Sequence, residues 1–136
     1  MNNCAYCSNL LKKRNSKYCS NKCQVDFQYD SYIYSWKSGK ATGERGVNAK
    51  GLSGHVRRYL MHKYKSACSR CGWSHTHEVT GKVPLEIDHI DGNAENNSEA
   101  NLRLLCPNCH SLTRSYRNLN FGRGRTWRRA KYLKQL

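Results

Sequence analysis

Four side chains in the middle of the sequence have types and spacing suited to hydrolytic chemistry. Asp88 and His89 are adjacent near the end of the run Leu85-Glu86-Ile87-Asp88-His89-Ile90. Asn101 opens a second run, Leu102-Arg103-Leu104-Leu105, and His110 follows the pair Cys106-Pro107-Asn108-Cys109. A carboxylate and an imidazole can share one hard divalent cation. A second, neutral imidazole beside them can take a proton from water close to neutral pH. An Asp-His dipeptide alone is common and usually carries no chemistry. Asp88 could cap a turn, and His110 could pack beside a metal site without touching substrate. What sets these four apart is the pair of cysteine motifs that frames them.

The eight cysteines fall into two quartets. Cys68-Ser69-Arg70-Cys71 and Cys106-Pro107-Asn108-Cys109 are two Cys-x-x-Cys pairs with 34 residues between them. Cys4-x-x-Cys7 is followed after eleven residues by Cys19-x-x-x-Cys23. Each Cys-x-x-Cys turn aims two sulfurs at one ion, and a second pair completes a tetrahedral Zn²⁺ shell. The N-terminus carries no secretory pattern, and no apolar stretch approaches the ~20 residues needed to span a bilayer. A reducing cytosol is therefore the expected compartment, and there paired cysteines read as zinc ligands before disulfides or free thiols. Both quartets are expected to be structural. The second would also clamp the segment before Asp88-His89 to the segment bearing His110. With all eight sulfurs assigned, none remains for a nucleophilic Cys-His pair.

Composition makes such staples necessary. The chain has 136 residues, a hydrophobic fraction of 38% and only two Phe and two Met. Its mean hydropathy is −0.89. Apolar burial alone would give a thin core. The formal charge is +15. Two tetra-thiolate zinc centres of about −2 each would lower it to about +11, still a field that attracts polyanions. No amphipathic apolar face is visible for insertion into a lipid surface, so nucleic acid is the better partner. All nine acidic residues lie at or before Glu99, and residues 100–136 hold nine Lys or Arg.

The elements that would position these groups follow from periodicity. Val25, Tyr29, Tyr32, Ile33 and Trp36 share one face of a helix over residues 24–38, with Gly39 beyond its end. Residues 39–51 are glycine-rich and read as a linker. A second helix runs from about Ser53 to Tyr64, N-capped by Ser53, with Val56, Leu60 and Met61 towards a core. Val83–Ile90 reads as a strand, and Asp91-Gly92 as a turn in a loop too long for a tight hairpin. Leu102–Leu105 reads as a short second strand, and a helix follows from near Pro107 or Cys109 towards Tyr116. Glu95 and Glu99 read as solvated, and His55, His62, His75 and His77 as surface or packing residues. The expected organisation is a Cys4 zinc module with its helix over 1–40, a linker and basic helix over 41–65, a core over 66–118 and a basic tail over 119–136.

Asp88-His89, Asn101 and His110, interleaved with two Cys-x-x-Cys pairs, resemble the HNH endonucleases of the His-Me finger group. The resemblance covers roughly residues 66–118. It implies an α+β fold, a small zinc-stapled ββα-metal core, here joined to an N-terminal Cys4 zinc module and helices. Free-standing relatives from phages and bacteria are similar in adding a zinc module and a basic tail, which implies a bacterial host cytoplasm and a phage origin as one source. It also implies roles. His89 is the general base, and Asp88 and His110 hold one catalytic divalent ion, while Asn101 is mainly structural, bonding across the loop so that the His89 ring faces the water. Asn93, Asn96 and Asn97 also lie between the motifs, and Asn101 is favoured because it immediately precedes the second strand. Mg²⁺ is the expected ion. A histidine at 110, where many relatives have asparagine, softens the site enough to admit Mn²⁺, Co²⁺ or Ni²⁺. The implied reaction is hydrolysis of DNA to a 5′ phosphate and a 3′ hydroxyl.

Affinity for DNA must come from elsewhere in the chain. Arg114, Arg117, Arg123, Arg125, Arg128 and Arg129 make the tail a candidate backbone contact, and Gly122-Arg123-Gly124-Arg125 suits a narrow minor groove. Arg57, Arg58 and Lys63 offer a second phosphate-binding surface on the middle helix. Tyr29, Tyr32, Tyr34 and Trp36 could stack on bases, although at helical spacing aromatic residues are more often core. One active site cuts one strand, so a monomer would nick double-stranded DNA and a transient homodimer would cut both strands. A catalytically inactive DNA-binding module and an RNA-directed nuclease are the rival readings.

Overall fold

The computed structural model describes residues 2–14, 16–46, 51–120, 130 and 133–134. Contacts divide the chain into two units, Met1–Ala41 and Thr42–Leu136. Among the described residues, no helix is long and apolar enough to cross a membrane.

The first unit is a cysteine-bearing loop followed by one helix. Asn3 and Leu10 form an isolated antiparallel bridge that folds Cys4 and Cys7 into a turn. Helix α1 spans Asn21–Lys37. Ser20 starts it, its side chain accepting the Cys23 N–H, so a cap and a cysteine ligand share one turn. Gly39, at φ +78°, follows the Ser38 cap, a conformation that glycine adopts freely. The apolar stripe is real only in the second half of the helix. Ile33 and Trp36 are buried, whereas Val25 is exposed. Instead, Phe27 pairs with Tyr18, ring centroids 5.5 Å apart. The four aromatics suggested as a stacking surface do not share one environment, because Tyr34 is 70% exposed and Trp36 only 4%.

The second unit is α+β. Helix α2 spans Gly54–Lys63, capped by Ser53, whose side chain accepts the His55 N–H. Val56 and Leu60, one turn apart, are completely buried, as are Leu104 and Leu105. Strands β1 (Glu86–His89) and β2 (Leu102–Leu105) pair antiparallel, with Asp88 opposite Arg103 and His89 opposite Leu102. Helix α3 is short, Pro107–Ser111. Proline suits its first position, because the missing N–H has no helical acceptor there. The order is thus β1, loop, β2, α3, with α3 against both strands and α2 against β2.

Three expectations need correction. The first strand begins at Glu86 and not at Val83. β2 offers only four partners, and Pro84 has no N–H to give a ladder. Helix α3 ends at Ser111 instead of running to Tyr116. Ser111 Oγ donates to the Asn108 carbonyl and Thr113 Oγ1 to that of His110, so side chains take acceptors that a continuing helix would use. Glu99 is not solvated. Its Oε1 accepts from Tyr59 Oη at 2.6 Å and from Lys63 Nζ at 3.3 Å, tying α2 to the 3₁₀ turn Glu99–Asn101.

Candidate active site

Each cysteine quartet brings its four sulfurs within 4.8 Å of one another. Cys7 and Cys19 stand 3.5 Å apart, Cys19 and Cys23 3.4 Å, and Cys71 and Cys106 3.7 Å. A tetrahedron with Zn–S bonds of ~2.3 Å has sulfurs about 3.8 Å apart, so both groups fit zinc. Their electrostatics agree. Backbone N–H groups of Cys7, Tyr6 and Cys19 hold the Cys4 thiol down at about 6. Burial works to raise Cys68, but N–H groups of Cys106, Cys71 and Arg70 outweigh it and also bring it to about 6. Cys19, bonded to Cys23 and Cys7, is pushed up to about 12, and so is Cys109 by Cys106 and by burial. Four thiolates repel one another unless a cation sits among them.

The second quartet frames the two strands. Ser69 N–H in the first knuckle donates to the Leu104 carbonyl of β2 at 2.8 Å. At the other end Cys106 caps α3, its sulfur accepting the Cys109 N–H at 3.4 Å. A Zn²⁺ held by this quartet would therefore fix the orientation of the helix that carries His110. Cys68, Leu105, Cys106 and Cys109 form one buried cluster, with Trp73 and Leu85 packed on it.

Strand alternation puts Glu86 and Asp88 on one face of β1. Asp88 is 4% exposed. Its Oδ2 accepts from Arg103 Nε at 2.7 Å, the residue directly opposite in the ladder. His110 reaches the same face from α3. Its Nδ1 is hydrogen-bonded to Glu86 Oε2, and its Nε2 lies 3.9 Å from Asp88 Oδ1. With Nδ1–H donating to Glu86, neutral His110 turns the Nε2 lone pair towards that carboxylate oxygen. The gap is too long for a hydrogen bond. Two donors on one small ion, each at ~2.1 Å, stand about 3 to 4.2 Å apart, so Asp88 Oδ1 and His110 Nε2 fit a divalent cation between them. Two protein donors leave positions open for water and substrate, as catalytic ions require. Arg103 and Glu86 hold the other polar atoms of Asp88 and His110, as outer partners would at a metal site.

His89 is oriented by the loop. Its Nε2 lies 2.7 Å from Asn97 Oδ1. An amide oxygen only accepts, so Nε2 carries the proton and Nδ1 keeps its lone pair. Asn97 is itself 4% exposed. Asn101, the asparagine favoured from sequence, bonds across the loop. Its Oδ1 accepts the Asp91 N–H at 3.0 Å, and its Nδ2 donates to Asp91 Oδ1 and the Asn96 carbonyl at 2.9 and 2.8 Å. Burial works to raise the Asp91 carboxyl, but bonds from Asn96, Asn93 and Asn101 hold it below the usual range. Asp91 is the hub of the turn.

Asp88, His89 and His110 line one cavity of about 490 Å³, together with Arg117 and Asn120. Arg103 was not singled out from sequence, Asn97 was one of several candidate asparagines, and Glu86 was only a nearby carboxylate. The period of two places Glu86 beside Asp88, a signal available in advance; nothing in the sequence marked Asn97 over its three neighbours. The expected DNA contacts are scattered. Arg57, Arg114 and Arg117 are exposed, Arg58 is half-buried and Lys63 pairs with Glu99. Arg123, Arg125, Arg128 and Arg129 lie outside the described residues. His77 is a turn residue, its Nδ1 accepting from the Val79 and Thr80 N–H groups.

The family model for HNH endonuclease matches residues 68–115. The chain is also similar to the H-N-H endonuclease F-TflIV of Escherichia phage T5, 46% identical over 56 residues. That stretch is 41% of this chain and 24% of the relative, so the chain spans about a quarter of that protein's length. No solved structure gives a significant match. The matched segment contains the second quartet, both strands, α3 and the pair of imidazoles in the cavity. The likeness to HNH endonucleases thus lies in residues 68–115 of the 136.

Proposed function

We propose that this protein is a metal-dependent endonuclease that hydrolyses phosphodiester bonds of double-stranded DNA. One observation carries the reading: His89, with Nδ1 left as a base by Asn97, shares a cavity with the Asp88–His110 pair. His89 takes a proton from water as it attacks phosphorus. Asp88 and His110 would hold a divalent ion, which would supply Lewis-acid stabilisation of the charge that develops as the phosphodiester bond breaks. Arg103 keeps Asp88 from swinging away, and Glu86 keeps the His110 ring fixed. The products are a 5′ phosphate and a 3′ hydroxyl. The excess positive charge of +15 supports a polyanionic substrate. The named phage relative supports a site of action in a bacterial host's cytoplasm. The cavity holds one general base, so a single protomer nicks.

The test is supercoiled plasmid incubated with Mg²⁺ or Mn²⁺, alongside His89→Ala. Open-circular product is expected, with the rate falling at least ~100-fold in the variant, the usual scale for a general base. Full activity without His89 would remove the mechanism. Preferential cutting of structured RNA would move the substrate class.

A further inference from the structure

Two residues beyond the matched segment, Arg117 and Asn120, also line the cavity. Arg117 opens the 3₁₀ turn Arg117–Asn120 and sits at φ 48°. That left-handed conformation costs free energy for any residue with a Cβ, so the surrounding structure must enforce it. Asn120 is the clamp. Its Nδ2 donates to the Gly92 carbonyl at 2.6 Å, across 28 residues of sequence. Gly92 is buried at φ 74°, and a Cβ there would lie 2.7 Å from Asn120 Oδ1 and 2.9 Å from Ser115 Cβ. The bare backbone of Gly92 is thus what admits Asn120. The contact is tight enough that Asn120 Oδ1 is buried with no hydrogen-bond partner.

The clamp sets a guanidinium. Arg117 lines the same cavity as Asp88, His89 and His110. Its guanidinium carbon stands 5.0 Å from the centre of the Tyr116 ring, and Tyr116 meets the His110 ring edge-on at 5.2 Å. A planar fork held over an aromatic face beside the reactive imidazoles matches the paired oxygens of a phosphate. The other arginine against this site, Arg103, is already bonded to Asp88.

We propose that Arg117 binds a backbone phosphate of the substrate in the catalytic cavity, and that the Gly92–Asn120 clamp positions it there. The proposal rests on the nuclease reading for its substrate. Arg117 touches substrate; Gly92 and Asn120 act through Arg117.

Arg117→Ala should raise KM for plasmid by about 10- to 100-fold, the scale of one charge-assisted hydrogen-bonded contact, with kcat within about threefold. Arg117→Lys should recover part of this, because a point charge replaces the fork. The slope of log affinity against log salt should fall by about 0.9, one phosphate's share. Gly92→Ala, or Asn120→Ala should the former not fold, should reproduce the KM rise with zinc content unchanged. Combined with Arg117→Ala, either should add little further loss. Binding of a short duplex by His89→Ala protein, with and without Arg117, reads the contact independently of cleavage. Unchanged KM, duplex affinity and salt slope in Arg117→Ala would overturn the proposal. Absence of cleavage by the natural protein would count against the nuclease reading alone, because the duplex arm still reports on Arg117.

Discussion

The two cysteine quartets use the same four ligands for different work. The first closes an eleven-residue gap and serves a unit holding one helix. The second closes a gap of 34 residues, and inside that gap lie both strands and the loop that orients His89. Loop-closure entropy separates them by only about 1 kcal/mol. That is small beside the ~10–16 kcal/mol a structural zinc can contribute. Their difference therefore lies in what each ion holds in place and not in how tightly the chain is tied. A zinc knuckle next to a helix braces that helix. A zinc in the quartet whose sulfur caps the His110 helix would set the distance from His110 to Asp88.

The largest expected effect follows directly. Cys109→Ser removes one sulfur of the second quartet, one residue before His110, and leaves the backbone N–H of residue 109 that Cys106 Sγ accepts in the α3 cap. The variant should bind one zinc instead of two, lose near-ultraviolet circular dichroism from the second unit, and show no detectable nicking. Zinc quantitation beside the plasmid assay checks it. A folded variant with full nicking would mean that the strands and α3 hold themselves together without the ion.

How much of this could be read in advance depends on range. Ser53, Gly39 and the α2 core positions act within a few residues, and local rules place them. The quartets were legible because cysteine pairs at these spacings are characteristic of zinc sites. Asp88, His89 and His110 stood out by order and framing. Asn97 could not be chosen over Asn93, Asn96 and Asn101, because only the path of the loop decides which amide reaches the His89 ring. That path is fixed by Asp91, whose carboxylate accepts from Asn93, Asn96 and Asn101 at once. Arg103 needed the register that puts it opposite Asp88. The Gly92–Asn120 contact needed the whole fold.

Glu86 marks the middle of the comparison, because it acts on the cavity without being part of either zinc site. Glu86→Gln keeps a hydrogen-bonding side chain but removes the charge behind His110 Nδ1. The concentration of divalent ion needed for half-maximal nicking should rise about 10- to 100-fold, as for other outer partners of a metal ligand. Zinc content should stay at two. An unchanged ion requirement would show that the second quartet alone fixes the His110 ring.

The smallest effect on cleavage is expected from the first quartet. Cys19 bonds to both Cys7 and Cys23, so Cys19→Ser should empty that site and loosen Met1–Ala41. None of the groups that line the cavity belongs to that unit. At saturating DNA, kcat should therefore stay within about twofold while zinc falls from two to one. Hydrogen exchange should show the loss of protection confined to α1 and the turns before it, because local opening follows cooperative units. If kcat falls as steeply as in Cys109→Ser, the two quartets do the same work. The contrast between an ion that braces a helix and one that sets a catalytic distance would then fail.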